Sequence, residues 1–222
     1  MQNFFTVALP LLATVTTSTA SLPFVNYKMQ GPPPPVPGQA PFSIIKEFNL
    51  VDGKKTAIRE VAQPEKPKEK RLICKGCNEN ENETLNYFQD IGVKDRNALA
   101  TIMGNIKQES TFRSDICEGG RKRSYHSCWG GYGLIQWTSA NRYYGLGDFA
   151  KKYGGSPSSL GTQLRYLTNE VQWQKIEEKM KTPGKSIYRY MDYAYDWIGW
   201  GHHGARTEYA YDYASRLIQV EV

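Results

Sequence analysis

The sequence predicts a mainly α-helical domain preceded by an extended, proline-rich amino-terminal arm. Ten of the 12 prolines lie at or before Pro67, whereas 22 of the 28 aromatic residues follow Cys74. Beyond Cys74, apolar residues recur at the spacing of one helix face. We therefore divide the chain into an arm of residues 1–73 and a domain of residues 74–222.

The composition excludes several classes of protein. The 222 residues are 40% hydrophobic and 23% charged, as in ordinary globular proteins. The sequence has no Gly-X-Y period, no sustained heptad and no apolar run of about 18 residues, which excludes collagen, a coiled coil and a membrane span. The net charge of +6 lies mostly in the arm. The basic run from Lys54 to Arg71 is typical of a solvated linker, and without a nucleic-acid-binding motif we expect no nucleic-acid partner.

The arm contains an apolar stretch that fits two roles. Residues 4–15, FFTVALPLLATV, have the length of a signal-peptide core, and small residues at 18–20 suit cleavage, but no Lys or Arg precedes them. The stretch is too short to span a bilayer. The alternative is an apolar anchor that docks into a larger assembly. A stiff polyproline spacer at 32–37 and an extended strand at 42–51 would then follow it.

Capping residues and periodicity predict the helices of the domain. Thr84 is suited to begin a short helix that ends before Gly92. Asp95 is suited to cap a longer one, whose apolar residues follow the i, i+3, i+4, i+7 pattern at Leu99, Ile102, Met103 and Ile106. The same spacing predicts helices at 160–171, 187–198 and 206–218. The second of these carries four tyrosines, too many for one buried stripe, so part of them should line a surface or cleft: Tyr188, Tyr190, Tyr193 and Tyr195.

Glu109 continues the apolar stripe of the longer helix and lies near its carboxyl end. Burial disfavours a charged carboxylate, and the negative end of the helix dipole acts in the same direction. A carboxyl group with a raised pKa is what a general acid for glycosidic-bond cleavage requires. The alternative is a structural Glu at a fraying last turn, or one that is neutralised by a nearby arginine such as Arg113.

A glycine-rich segment follows, Gly130-Gly131-Tyr132-Gly133-Leu134-Ile135-Gln136-Trp137. It combines a flexible backbone with aromatic rings and one side-chain amide. Sugars offer apolar faces to aromatic rings and hydroxyl groups to amides, so this mixture suits a saccharide cleft. Turns rich in aromatic residues are also common at the corners of a protein core.

These two segments resemble the phage tail lysozyme family. The resemblance rests on Gly104-Asn105-Ile106-Lys107-Gln108-Glu109-Ser110-Thr111-Phe112, then on residues 131–138 and Arg142, and it covers about Thr84 to Leu217. The wider pattern is similar to goose-type lysozymes and soluble lytic transglycosylases. Ala194-Tyr195-Asp196 is similar to the Ala-Tyr-Asn element of the transglycosylases, with Asp in place of Asn.

The resemblance implies a lysozyme-like domain that cleaves the β-1,4 bond between N-acetylmuramic acid and N-acetylglucosamine in peptidoglycan. Glu109 would be the proton donor, and Ser110 would support its carboxyl group. The resemblance implies a substrate-binding set of Ser110, Tyr132, Gly133, Gln136, Trp137 and Tyr195. It implies no catalytic cofactor.

The resemblance also implies a place of action. A tail enzyme is carried to the cell wall by the virion, so residues 1–73 would bind tail or baseplate proteins and the domain would act on the host wall in the periplasm. The alternatives are a secreted wall-remodelling enzyme with a signal peptide, and a non-catalytic glycan-binding or structural baseplate module.

The sequence leaves the stereochemical course open. A two-carboxylate hydrolase needs a base or nucleophile across the cleft, and Asp115 and Glu118 are the nearest candidates along the chain. A lytic transglycosylase needs no second carboxylate, because a hydroxyl group of the substrate closes an anhydro ring. Lysozyme and transglycosylase chemistry are therefore both compatible with the sequence.

The four cysteines fit three states. Cys74 and Cys77 have the spacing of zinc ligands, and Cys117 and Cys128 would complete a tetrahedral structural zinc site. Disulfides between the two pairs are the alternative in an oxidising compartment, and free thiols are the third. Either link would tie the start of the domain to the loop after Glu109.

Overall fold

The computed structural model describes residues 70–221, and the described part of the chain is mainly helical, as predicted. Of the arm, the structure describes residues 70–73. The predicted anchor, polyproline spacer and strand of the arm lie outside the described residues. Within residues 70–221 no helix has the length and apolar character that a bilayer crossing requires. The elements are β1 Lys70–Cys74, α1 Glu79–Asp90, α2 Arg96–Ser110, β2 Ile116–Cys117, β3 Arg121–Lys122, α3 Ala140–Tyr153, α4 Leu160–Asn169, α5 Val171–Gln174, α6 Glu177–Lys181, α7 Ile187–Ile198, α8 Arg206–Arg216 and β4 Leu217–Glu221.

Helix α1 begins six residues earlier than the Thr84 cap predicts. Its N-cap is Asn78, whose side chain accepts a hydrogen bond from the backbone N–H of Glu81 at 3.0 Å, while the Glu81 carboxylate accepts the Asn78 N–H at 2.7 Å. This reciprocal capping box satisfies two backbone donors that the first turn of a helix leaves free. Thr84 lies inside the helix and is buried.

Helix α2 confirms the predicted cap and stripe. The Asp95 carboxylate accepts the backbone N–H groups of Asn97 and Ala98 at 2.9 and 3.0 Å. All four stripe residues are completely buried, which makes α2 a central helix of the core. The stripe consists of Leu99, Ile102, Met103 and Ile106.

The most extensive helix contact joins α2 to α8. Gly104 makes it possible: a Cβ atom there would lie 2.6 Å from the backbone nitrogen of Ala210 and 2.8 Å from the carbonyl oxygen of Arg206. No other residue type fits at such a distance, so the two helices meet backbone to backbone at this point. Helix α7 also packs on α2.

The predicted helices at 187–198 and 160–171 are present, the latter as α4 and α5, but the last helix ends earlier than predicted. It stops at Arg216, and the chain continues as β4, which pairs antiparallel with β1 from Lys70↔Glu221 to Cys74↔Leu217. Helices α3 and α6 were not predicted. The described domain therefore closes on itself, because its first and last strands form one two-stranded sheet.

Candidate functional site

Glu109 lies in the last turn of α2, and its side chain is 14% exposed. The helix ends immediately after it, at Thr111 and Phe112, which both have a positive φ, 51° and 63°. Residues other than glycine rarely adopt this conformation, and such strain clusters at functional sites. The chain therefore turns sharply beside a carboxyl group that is mostly shielded from water.

The charged partner of this carboxylate is Arg206, the first residue of α8. Its Nη2 donates to Glu109 Oε1, and its side chain is 5% exposed. Arg113, the arginine that the sequence suggested, is instead 4.0 Å from Asp115. Sequence reasoning missed Arg206 because it lies 97 positions away. The close α2–α8 packing at Gly104 brings the two residues together.

Burial dominates the electrostatics of this pair. It raises the pKa of Glu109, although Arg206 and, from further away, Arg142 lower that pKa. Burial also lowers the pKa of the Arg206 guanidinium, while Glu109 raises it. The result is a carboxyl group that holds its proton more tightly than an ordinary Glu and has a cation in contact with it.

The glycine-rich segment forms a tight hairpin beside the end of α2. Tyr132 and Trp137 exchange two backbone hydrogen bonds at 3.2 and 3.0 Å, and Gly133 and Gln136 between them have positive φ values, 71° and 50°. The Ser110 hydroxyl donates to the Leu134 carbonyl at 2.7 Å. Ser110 therefore fastens the hairpin to α2, a role different from the predicted support of the Glu109 carboxyl group.

Gln163 of α4 fixes the hairpin from the other side. Its Oε1 accepts the Leu134 N–H at 2.8 Å, and its Nε2 donates to the carbonyls of Ser114 and Pro157, both at 2.7 Å. A Cβ atom on Gly133 would lie 2.5 Å from this amide. Gly133 is thus needed for its backbone conformation and for the close approach of Gln163.

The structure corrects the predicted roles of Tyr132 and Trp137. Both side chains are buried, with 0% and 1% exposure, so neither offers a ring face to a sugar. Trp137 Nε1 instead donates to the Glu170 carboxylate at 2.9 Å. Arg142 binds the same carboxylate through two hydrogen bonds of 2.8 Å. These residues form a buried polar cluster that supports the hairpin.

The two remaining predicted binding residues are more accessible. Gln136 is half-buried and uses its amide within the hairpin, where Nε2 donates to the Gly133 carbonyl at 2.9 Å. Tyr195 is 53% exposed on α7. Its ring lies 5.0 Å from that of Trp200, and the Arg206 guanidinium lies 4.8 Å from the Trp200 ring centroid. The structure thus connects Tyr195 to Glu109 through Trp200 and Arg206. The sequence analysis did not single out Trp200.

The two candidates for a second carboxylate are both held by groups of the protein. Asp115 lies 2.9 Å from the Lys122 ammonium group in the β2–β3 hairpin. Glu118 accepts the backbone N–H of Gly131 at 3.2 Å. Each therefore has a structural contact that does not involve Glu109.

The cysteines form local pairs. Disulfides join Cys74 to Cys77 and Cys117 to Cys128, with Cα–Cα distances of 5.5 and 5.6 Å. The predicted links between the two pairs are therefore wrong, and the disulfides do not tie the start of the domain to the loop after Glu109. Within residues 70–221 no group of three or more metal-ligating side chains converges. The structural zinc site stays a prediction, and metal analysis of the purified protein tests it.

Comparison with known protein families identifies a related family. A family model described as phage tail lysozyme matches residues 79–217, which include α1 to α8, the Glu109 region and the glycine-rich hairpin. No curated protein and no solved structure matches the chain.

Proposed function

Because the chain belongs to the phage tail lysozyme family, a family of peptidoglycan-degrading enzymes, we propose that it cleaves the β-1,4 bond between N-acetylmuramic acid and N-acetylglucosamine with Glu109 as proton donor. The observation that carries this proposal is the mostly buried carboxyl group of Glu109 at the end of α2, with its raised pKa. Such a group keeps a proton at a pH where an exposed Glu is ionised. It can then donate that proton to the oxygen of the leaving sugar.

Arg206 has a defined part in this proposal. When Glu109 gives up its proton, it becomes a carboxylate in a poorly hydrated site. The guanidinium in contact with it stabilises that charge without any rearrangement of the protein. The same contact keeps the carboxyl group in one orientation. Arg206 is therefore a positioning residue that acts through Glu109.

The alternative is lytic transglycosylase chemistry on the same bond. The contacts of Asp115 with Lys122, and of Glu118 with the Gly131 backbone, favour this alternative, because neither carboxylate is free of structural partners. A transglycosylase would release fragments with anhydro-muramic ends, whereas a lysozyme would release reducing ends. A non-catalytic baseplate or glycan-binding module would release no fragments.

The proposed place of action is the virion. In this proposal residues 1–73 bind tail or baseplate proteins, and the domain opens the host wall locally while the tail penetrates it. Support comes from the family, whose description names the phage tail. The alternative of a secreted enzyme places residues 4–15 in a signal peptide, and amino-terminal sequencing of the mature protein distinguishes the two.

The decisive experiment is mass spectrometry of the fragments that the full chain releases from purified peptidoglycan. We expect Glu109→Gln to reduce the release rate by about 10²–10⁴-fold, the usual contribution of general acid catalysis. Glu178→Gln is the matched control, because Glu178 has a side chain that is 90% exposed and belongs to α6. Release by Glu109→Gln at the rate of the control would refute the assignment of the proton donor.

A further inference from the structure

A groove beside α7 contains Tyr195, and its other lining residues have no role in the function proposed above. It has a volume of about 540 Å³, within the range of about 300–1,000 Å³ that is typical of ligand clefts. Helix α7 provides one wall and the segment from Trp200 to Thr207 provides the other. Its lining consists of Tyr188, Met191, Asp192, Tyr195, Trp200, His203 and Thr207.

The groove combines aromatic surface with polar edges. Tyr188 and Tyr195 are 65% and 53% exposed, whereas most large apolar side chains of the described domain are buried. The Trp200 ring is nearly perpendicular to the rings of Tyr195 and His203, with centroid distances of 5.0 and 5.5 Å. His203 Nε2 and Thr207 Oγ1 are 2.8 Å apart. A pyranose ring needs this combination, because its C–H faces stack on aromatic rings while its hydroxyl groups require polar partners at the edge.

The groove adjoins Glu109 through two side chains. The Trp200 ring is nearly perpendicular to that of Tyr195, and the Arg206 guanidinium lies 4.8 Å from the Trp200 ring centroid. Arg206 contacts Glu109 through Nη2, but its buried Nε and Nη1 have no acceptor among residues 70–221. Protein hydrogen bonds alone therefore do not fix the guanidinium. Its position depends on Glu109 and on the Trp200 ring above it.

We propose that this groove binds sugar rings of the glycan strand next to the bond that is cleaved, with Trp200 and Tyr195 as the stacking residues. The proposal rests on the proposed function, since it takes the strand attacked by Glu109 as the occupant. A sugar in the groove contacts the Trp200 ring and thereby holds Arg206 against Glu109. Tyr195 acts on binding alone, whereas Trp200 acts on binding and on the position of Arg206.

Calorimetric titration with the hexamer of β-1,4-linked N-acetylglucosamine tests this site. The titrations use the full chain carrying Glu109→Gln, so that the probe stays intact. Adding Tyr195→Ala should raise Kd by about tenfold, which corresponds to the loss of one significant contact. The matched control is Tyr144→Ala, because Tyr144 is also a helix tyrosine, is 66% exposed and lies outside the groove. It should leave Kd unchanged.

Steady-state kinetics on soluble peptidoglycan fragments separates the two roles. In the chain that retains Glu109, Tyr195→Ala should raise KM by about tenfold with kcat within about twofold, since it removes binding only. Trp200→Ala should raise KM and also lower kcat, because the aromatic ring that packs on the Arg206 guanidinium is removed. Near-ultraviolet circular dichroism and the thermal midpoint of each variant check that the fold is intact.

Three results would overturn the proposal: no binding of the hexamer by Glu109→Gln alone, an unchanged Kd with Tyr195→Ala, or an equal loss of affinity with Tyr144→Ala. Each of these leaves the proton-donor assignment standing. Conversely, fragment release by Glu109→Gln would refute that assignment but would not remove the difference in Kd between the two tyrosine variants. The two failures are thus distinguishable.

Discussion

Replacing Arg206 with methionine tests the electrostatic account of Glu109. The substitution keeps an unbranched side chain under Trp200 and removes the cation that contacts the carboxyl group. Burial then raises the pKa of Glu109 with only the more distant Arg142 opposing it. An opposite charge in contact with a carboxyl group lowers its pKa, so the loss of Arg206 should raise the pKa of Glu109 further.

The sign of the effect on activity follows directly. A general acid works in its protonated form, and the alkaline limb of kcat/KM reports the pKa of that acid in the free enzyme. Arg206→Met should therefore move the alkaline limb to higher pH. It should also lower kcat, because the carboxylate formed on proton transfer loses its partner.

The pH dependence of the free energy of unfolding provides a second test of the raised pKa of Glu109. Glu109 has a folded-state pKa above its ordinary value of 4.5, so the folded state holds this proton more tightly than the unfolded state. The contribution of Glu109 to the free energy of unfolding consequently falls as the pH rises from 4.5 to the folded-state pKa. Arg206→Met should extend this fall to higher pH.

The assay is a pH series of kcat/KM on soluble peptidoglycan fragments, paired with urea unfolding at each pH. Arg206→Lys is the control, because it keeps a positive charge but loses the planar guanidinium that lies under Trp200. It should shift the alkaline limb less than Arg206→Met. An alkaline limb that is the same in Arg206→Met and in the original chain would show that Arg206 does not set the proton affinity of Glu109.

Three further predictions concern the support of the hairpin, each measured as the free energy of unfolding in urea. Arg142→Met leaves the 3%-exposed Glu170 side chain without its ion-pair partner and should cost about 3–5 kcal/mol, whereas a loss below 1 kcal/mol would contradict a buried pair. Gly133→Ala places a Cβ at a φ of 71° and should cost at least about 1 kcal/mol. Replacing Cys117 and Cys128 together with serine opens a short loop and should cost about 2–3 kcal/mol, after which reductant can act only on the Cys74–Cys77 disulfide.

Helix α2 shows which part of the site follows from sequence. Asp95 and the four apolar residues from Leu99 to Ile106 belong to one continuous segment, so local periodicity determines which face is buried. Glu109 lies on that face, and its partial burial follows from its position in the segment. A prediction of this kind requires no knowledge of the neighbouring helices.

The glycine-rich hairpin shows where local patterns fail. Tyr132 and Trp137 occur in a polar, flexible context that suits a sugar cleft, yet both are core residues. Burial of Trp137 depends on distant residues: Glu170, between α4 and α5, accepts the indole N–H, and Arg142 of α3 donates to the same carboxylate. The sequence predicts that some tyrosines of α7 are exposed. The groove that they line also depends on Trp200, which lies beyond the end of that helix.

Gly104 lies between these two cases and explains how the site is assembled. A glycine in the middle of a helix costs about 0.5–1 kcal/mol relative to alanine, so its presence in α2 indicates a close contact. The sequence contains that indication but does not identify the segment that packs against Gly104. That segment is the backbone of α8 at Ala210 and Arg206. Because the contact lies five residues before Glu109, about one and a half turns, it sets α8 at the height where its first side chain reaches the carboxyl group. The ion pair at the candidate site is thus a consequence of helix packing, and a larger residue at position 104 would separate its two members.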